Sequence, residues 1–182
     1  LADCNGNTLR RIVMAEFLTD KESAGLLGES KPLPVNWATR LRTRPKADVS
    51  FTERSHELQG AAGHRFTLTL RCSSHSQLDF SIILFYIDNN GEEYRLRRHN
   101  GAHSSRHTNV WEKQNGLPNC RLEMGCHIHM ATERYQRAGL KIDGYAETTD
   151  KYSNLDNALK AMFADASFDV PPEAAIPQLR LL

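Results

Sequence analysis

Two histidines separated by a single residue, His127 and His129, are the first side chains whose spacing could do chemistry. They belong to the alternating segment 121–131, and an extended backbone there would direct both imidazoles to one side of a sheet. Such a pair suits acid and base catalysis at a phosphodiester, or metal binding with a third ligand from elsewhere. A structural interpretation is also open, in which both rings are half-exposed and bonded to backbone or water.

A stretch without acidic residues, 97–109, carries three more histidines, His99, His103 and His107. Five of the chain's eight histidines therefore fall between residues 99 and 129. The Gly and Ser content predicts a loop, and loops that carry polar side chains often bind ligands. The alternative is a solvated loop without a role.

Cleavage of RNA without a metal needs few protein groups, because the 2′-hydroxyl is the nucleophile. The protein supplies a base, an acid and cations for the charge of the phosphorane. We predict His127 or His129 as the base and a histidine of the loop, such as His99 or His107, as the acid. The side chains predicted to hold phosphate or substrate are Arg71, Arg95, Arg97, Arg98, Asn100, Thr132, Arg134 and Tyr135. Two of these residues could instead have purely structural roles: Arg134 in a surface ion pair, and Tyr135 in the core.

The scarcity of carboxylates near the histidines argues against a magnesium nuclease, which needs clustered acids. Only Glu123 and Glu133 are close in sequence. We therefore expect no cofactor, with zinc on His127 and His129 as the alternative. The four cysteines form no C-x-x-C pair, match no standard zinc finger and fit a reducing cytosol: Cys4, Cys72, Cys120 and Cys126.

Charge is spread unevenly along a chain whose net charge is only +1. Segments 37–71 and 94–137 are basic, and segment 143–173 is acidic. These segments could pair with each other on the surface, or the basic ones could present a positive face to an anion such as phosphate.

The elements that position these residues are mainly strands. Period-2 alternation predicts strands at 64–72, 77–87, 92–98 and 121–131, with weaker ones at 35–42 and 47–53. Helix signals occur near both ends of the chain. We predict an α+β fold, with an antiparallel sheet, helices packed on one face, and an open polar face that carries His and Arg.

The chain of 182 residues is predicted to be a single domain. Thr19 is expected to cap a short helix, and Ser153 a longer one. The predicted parts are an N-terminal helical segment (1–30), antiparallel strands (35–131), a C-terminal helix (153–166) and a tail (170–182).

The alternation also predicts which side chains are buried. Met124, Cys126, Ile128 and Met130 should face the core, and His127 and His129 should be accessible to solvent. The open face is predicted to carry Arg65, Thr67, Arg71, Asp79, Arg95, Arg97, His127 and His129.

No apolar run approaches the length of a membrane span, and no signal peptide opens the sequence. The longest run, Ile82 to Ile87, has six residues. We expect a cytoplasmic protein without a membrane partner.

Four motifs resemble a family of small uncharacterised prokaryotic proteins over about residues 60–168. They are R-H-N-G (98–101), H-T-N (107–109), H-I-H-M-A-T-E-R-Y-Q (127–136) and G-Y-A-E-T-T-D-x-Y (144–152). The resemblance implies a bacterial or archaeal, intracellular setting and no mechanism. The predicted fold is also loosely similar to ribonuclease toxins of the RelE and barnase type.

We therefore predict a small metal-independent ribonuclease, toxin- or defence-like, with RNA as its partner and an antitoxin-like protein as a second one. Two alternatives stay open: a non-catalytic module that binds nucleic acid or protein, and a histidine-based metal site.

Overall fold

The computed structural model describes residues 17–43, 50–103, 106–118 and 120–174. Its described α-helices are α1 (Asp20–Gly28), α2 (Val110–Gln114), α3 (Glu133–Arg137) and α4 (Leu155–Asp165), with a 3₁₀ helix at Trp37–Arg40. Its described strands are β1 (Lys31–Pro32), β2 (Arg42–Thr43), β3 (Phe51–Gln59), β4 (Arg65–Ser73), β5 (Phe80–Ile87), β6 (Glu93–Asn100), β7 (His127–Met130), β8 (Tyr145–Thr148) and β9 (Phe168–Asp169).

Strands β2 to β8 form one seven-stranded antiparallel sheet in which every strand lies beside its neighbours in the chain. Strands β1 and β9 form a separate parallel pair. An antiparallel sheet combined with helices confirms the predicted α+β class.

The core lies on the face of the sheet that α4 covers. Alternation in β4 sends Phe66, Leu68 and Leu70 to this face, where they are buried. Leu159 and Met162 of α4 belong to the same apolar cluster. The sheet and α4 therefore bury one continuous apolar surface, which is the main stabilising contribution available to a domain of this size.

Caps define the ends of two helices. The capping box predicted at Thr19 is present, since its hydroxyl accepts from the Glu22 amide and the Glu22 carboxylate accepts from the Thr19 amide. The prediction that Ser153 caps the last helix is wrong. Asn154 is the cap, because its side-chain oxygen accepts from the Asn157 amide at 2.9 Å.

A buried lysine joins the ends of two helices. Lys31 has no exposed surface, and its ammonium donates to the carbonyls of Leu26, Leu27 and Glu29, at the end of α1, and of Ala166, which follows α4. These carbonyls are among those that a helix leaves without partners at its C-terminus. Desolvation lowers the pKa of Lys31 to about 8.

A bulge in β6 changes which side chains share a face. The pairing of β5 with β6 shifts between Leu84 and Phe85, so that Phe85 lies opposite Arg95 but Leu84 lies opposite Arg97. One residue of β6, Leu96, is left over and the alternation inverts there. The prediction that Arg97 shares the open face with Arg95 is therefore wrong, and Arg98 takes that position instead.

Several sequence predictions between residues 35 and 137 are wrong in detail. Segment 35–42 contains the 3₁₀ helix, and α2 and α3 were not predicted. Strand β7 begins only at His127, because the preceding chain pairs elsewhere: Arg121 forms a bridge with Thr108. Met124 is consequently 58% exposed, whereas Ile128 is buried as predicted and Cys126 and Met130 are half-buried.

Parts of the predicted helical N-terminus (1–16), of the strand predicted at 47–53 (47–49) and of the tail (175–182) lie outside the described residues. Within the described ranges, no helix combines the length and the apolar character that a membrane crossing requires.

Candidate functional site

Four histidines meet on the sheet face opposite α4. His127 and His129 come from β7, and His103 and His107 come from the loop that follows β6. The ring centroids are 5.0 Å apart for His127 and His129, 4.6 Å for His107 and His129, and 5.0 Å for His103 and His127. We call these four residues the histidine cluster.

The H-T-N motif places the loop over the sheet. The Asn109 side chain donates to the Ala146 carbonyl at 2.9 Å and accepts from the Ala146 amide at 2.8 Å, so it pairs with β8 as a strand would. The His107 Nε2 atom lies 3.1 Å from the Gly144 carbonyl. These bonds hold His107 against the two histidines of β7.

The loop buries the two histidines of β7, which the sequence predicted to be accessible. His127 and His129 are each only 3% exposed, so that prediction is wrong. They nevertheless line a cavity of about 500 Å³ rather than the apolar core. The other side chains and glycine around this cavity are Arg98, Asn100, His103, Arg106, His107, Thr108, Val110, Tyr135, Leu140, Lys141, Asp143 and Gly144.

Hydrogen bonds define the tautomers of the two buried rings. The Nδ1 atom of His127 lies 2.9 Å from the Gly125 carbonyl, and that of His129 lies 2.9 Å from the Asp143 carbonyl. A carbonyl only accepts, so both Nδ1 atoms carry the proton and both Nε2 atoms are bare in the neutral rings. Each Nε2 faces the side-chain nitrogen of Asn100, at 3.2 and 3.4 Å.

The environment favours the neutral form of His107, His127 and His129. Burial lowers the pKa of His127 to about 4 and that of His129 to about 2, with neighbouring imidazoles and Arg98 acting in the same direction. Burial also lowers the pKa of His107. Neutral imidazoles can accept protons, as the base in the predicted reaction must.

Positive side chains surround the histidine cluster. Arg98, Arg106 and Lys141 line the cavity, and Asp143 is the single carboxylate among the described lining residues. Asp143 is 1% exposed and lies between two guanidinium groups, 3.1 Å from Arg98 and 3.7 Å from Arg95. The cavity therefore carries an excess of positive charge that suits an anion.

His99 and Arg97, two predicted site residues, lie on the other face of the sheet. His99 is fully buried, with Nδ1 3.3 Å from the Ala158 carbonyl of α4 and its ring stacked on Tyr152. Arg97 lies 3.5 Å from Asp165 of α4. Because side chains alternate along β6, both point away from the cavity, and neither can touch a ligand there.

Three other predicted binding residues have structural partners, and a fourth, Thr132, is buried. Arg134 donates to Glu112 at 2.6 Å, and Tyr135, which does line the cavity, donates its hydroxyl to the same carboxylate at 2.6 Å. Thr132 is buried at the start of α3, and Arg71 stacks over Phe51 at 3.7 Å. Of the predicted arginines, Arg98 alone lines the cavity in the described chain.

Sequence reasoning did not assign roles to four residues that the fold brings to the site. His103 was noted without a role, and Arg106, Lys141 and Asp143 carried no local signal, because only the approach of separate loops places them together. Asn109 did have a signal, its position in the H-T-N motif.

The alternative of a histidine-based metal site depends on which side chains could ligate the ion. Within residues 17–43, 50–103, 106–118 and 120–174, no group of three or more His, Cys, Asp or Glu side chains is arranged to hold a metal ion. In the described part of the chain, the zinc alternative rests on the bare Nε2 atoms of His127 and His129.

Comparisons with protein-family models, with curated proteins and with solved structures each give no match to this chain.

Proposed function

We propose that this protein is a metal-independent ribonuclease that uses the histidine cluster for proton transfer. The observation that carries the proposal is one cavity in which four imidazoles lie beside three cationic side chains, with its one described carboxylate held by arginines. This combination supplies what cleavage by a 2′-hydroxyl requires and lacks the clustered acids that a magnesium nuclease requires.

In the proposed reaction a neutral imidazole of the cluster accepts the proton of the 2′-hydroxyl. The 2′-oxygen attacks the adjacent phosphorus, the bond from phosphorus to the 5′-oxygen breaks, and a second, protonated imidazole gives its proton to that oxygen. The products are a 2′,3′-cyclic phosphate and a 5′-hydroxyl. We assign the base to the buried pair, His127 and His129, and the acid to His103 or His107, which are more exposed.

Arg98, Arg106 and Lys141 are proposed to hold the phosphate. Guanidinium groups form paired hydrogen bonds with phosphate oxygens, and their charge would offset the charge that develops on the phosphorane. The bound phosphate would also raise the pKa of the nearby imidazoles, which makes a protonated acid accessible near neutral pH.

The lowered pKa values predict how the rate of RNA cleavage depends on pH. With His107 as the acid, its lowered pKa in the free protein means that it is protonated only below the ordinary histidine value, so kcat/KM should peak below pH 6.5. A peak above pH 7 would contradict the assignment of these rings.

The deciding experiment is cleavage of single-stranded RNA by purified protein in excess EDTA. Cleavage that persists and leaves 2′,3′-cyclic phosphate ends supports the proposal. The double variant His103→Gln with His107→Gln should abolish cleavage, whereas His75→Gln, in an exposed loop, is the control that should cleave normally. Binding of RNA without cleavage at any pH would instead support the non-catalytic alternative, and stoichiometric zinc with loss of activity in EDTA would support a metal centre.

The biological setting belongs to the same proposal. A toxin or defence role, an antitoxin-like protein partner and a cytoplasmic location all remain predictions, and they depend on RNA cleavage being observed first.

A further inference from the structure

The Asn100 side chain connects the two buried histidines. Its Nδ2 atom lies 3.2 Å from His127 Nε2 and 3.4 Å from His129 Nε2, and its Oδ1 atom accepts from the Ser81 hydroxyl at 2.9 Å. Register explains the arrangement, since Ser81, Asn100 and His127 lie opposite one another on β5, β6 and β7. Asn100 is 4% exposed.

The orientation of this amide follows from its surroundings. Both Nε2 atoms are bare acceptors, because both Nδ1 protons are given to backbone carbonyls. The amide nitrogen has two hydrogens to donate, one for each ring, and the amide oxygen is left to accept from Ser81. Every donor in this network therefore has an acceptor.

Protonation of either ring at Nε2 would disrupt this network, in which every donor has an acceptor. An Nε2–H group would then face an N–H group of Asn100, and two donors in contact carry an unsatisfied polar group inside the protein. Rotation of the amide by half a turn does not remove the conflict, because Oδ1 would then accept from the protonated ring but face the bare Nε2 of the other ring, acceptor against acceptor. The Asn100 amide is therefore matched to one state of the pair, in which both rings are neutral and both Nε2 atoms accept.

From this geometry we propose that Asn100 is a positioning residue that holds the rings of His127 and His129 side by side and opposes protonation of their Nε2 atoms. The inference rests on the proposed function for its role in the reaction, in which the base must be neutral and oriented before it accepts the proton of the 2′-hydroxyl. The sequence assigned Asn100 to phosphate binding, and the structure instead places its amide against the two rings.

Other titratable and charged groups around the cavity also influence the protonation of His127 and His129. Those that line the same cavity are Arg98 on β6, His103, Arg106 and His107 on the loop after β6, Tyr135 on α3, and Lys141 and Asp143 before β8. The Asn100 amide nitrogen lies at hydrogen-bond distance from both Nε2 atoms. The amide is therefore placed to influence the protonation of these nitrogens directly.

The test is a titration of the imidazole nitrogens by NMR in protein labelled with ¹⁵N-histidine. In the wild type we expect both rings to carry their proton on Nδ1. In Asn100→Asp a carboxylate replaces the donor, so the midpoint of the pair should rise by about 1–3 pH units. His99, on the opposite face, is the internal control and should keep its midpoint.

Two further variants test whether the change in the titration midpoint comes from misfolding or from a purely structural role of Asn100. Asn100→Leu removes the donor without adding charge, and should leave the Nε2 atoms bare with a midpoint below that of Asn100→Asp. Ser81→Ala removes the partner of Oδ1 and should broaden or shift the titration while the sheet persists. Proton on Nε2 in the wild type, or equal midpoints in the wild type and Asn100→Asp, would overturn the proposal. Because no RNA is present, these results stand even if the protein proves not to be a ribonuclease.

Discussion

Arg97 and Arg98 are neighbours in β6, yet they bind carboxylates on opposite faces of the sheet. Arg97 lies 3.5 Å from Asp165 on α4, and Arg98 lies 3.1 Å from Asp143 beside the cavity. The two residues have the same chemistry and adjacent positions, so they form a matched pair for separating function from stability.

Arg98→Gln is expected to lower kcat/KM for RNA cleavage by about 100-fold, the usual loss when one donor to a developing negative charge is removed. Arg97→Gln should leave cleavage unchanged per folded molecule while lowering the free energy of unfolding. Cleavage assays at matched folded concentration, with thermal unfolding alongside, measure both quantities. Equal losses of activity in the two variants would contradict the placement of the cavity.

The buried histidines should make stability depend on pH. His99 and His127 have pKa values lowered to about 4, and His129 to about 2, whereas unfolded histidine titrates near 6.5. The unfolded chain therefore binds more protons below pH 6.5, and stability that is complete above that pH is lost as the pH falls.

With three such groups, the slope should approach about 4 kcal/mol per pH unit near pH 5. Urea unfolding at several pH values measures it. In His127→Gln the slope should fall by about 1.4 kcal/mol per pH unit. A wild-type stability that does not change between pH 6.5 and 5 would show that these rings are not buried in the neutral form.

Asn109→Ala tests the attachment of the loop to β8. The substitution removes two hydrogen bonds with the Ala146 backbone inside the protein, and a cost of about 2 kcal/mol or more is expected. The matched control is Asn115→Ala, whose bond to Trp111 is exposed and should contribute about 0.5 kcal/mol or less. Chemical denaturation of both variants gives the comparison, and similar costs would argue against the attachment.

Much of the sheet could be predicted from the sequence, because the alternation in β4 and β5 is a local property of each strand. The bulge at Leu96 could not, since it depends on the pairing with β5, and it reversed the expected face of Arg97. The short helices α2 and α3 have five residues each and too little periodicity to be recognised.

The site, like the sheet, could be predicted only where the signal lies in the local sequence. His127 and His129 share a face because of their spacing alone, and His107 was a candidate because of its loop. Their burial was not predictable, because it depends on Asn109 bonding to a strand 37 residues later in the chain. Lys141 and Asp143 reach the cavity through the same kind of distant contact.

Lys31 should make the free energy of unfolding depend on pH in the alkaline range as well. Its pKa in the fold is about 8, against an ordinary value of 10.5, so between these values the unfolded chain binds the proton more tightly. The free energy of unfolding should therefore rise with pH there, by up to about 1.4 kcal/mol per pH unit. Guanidinium unfolding from pH 8 to 10 measures the slope, and Lys31→Met should remove this contribution. Identical slopes in the wild type and the variant would refute it.

The strand order has a consequence for how the chain acquires its site during synthesis. Each strand of the large sheet pairs with its neighbour in sequence, so β2 to β6 can assemble in the order in which they leave the ribosome. The cavity cannot form with them, because His107 and Asn109 are held by Gly144 and Ala146, at the start of β8. A nascent chain thus carries most of its sheet before it carries any cavity, and the cavity is assembled only when residues 144–146 have left the ribosome.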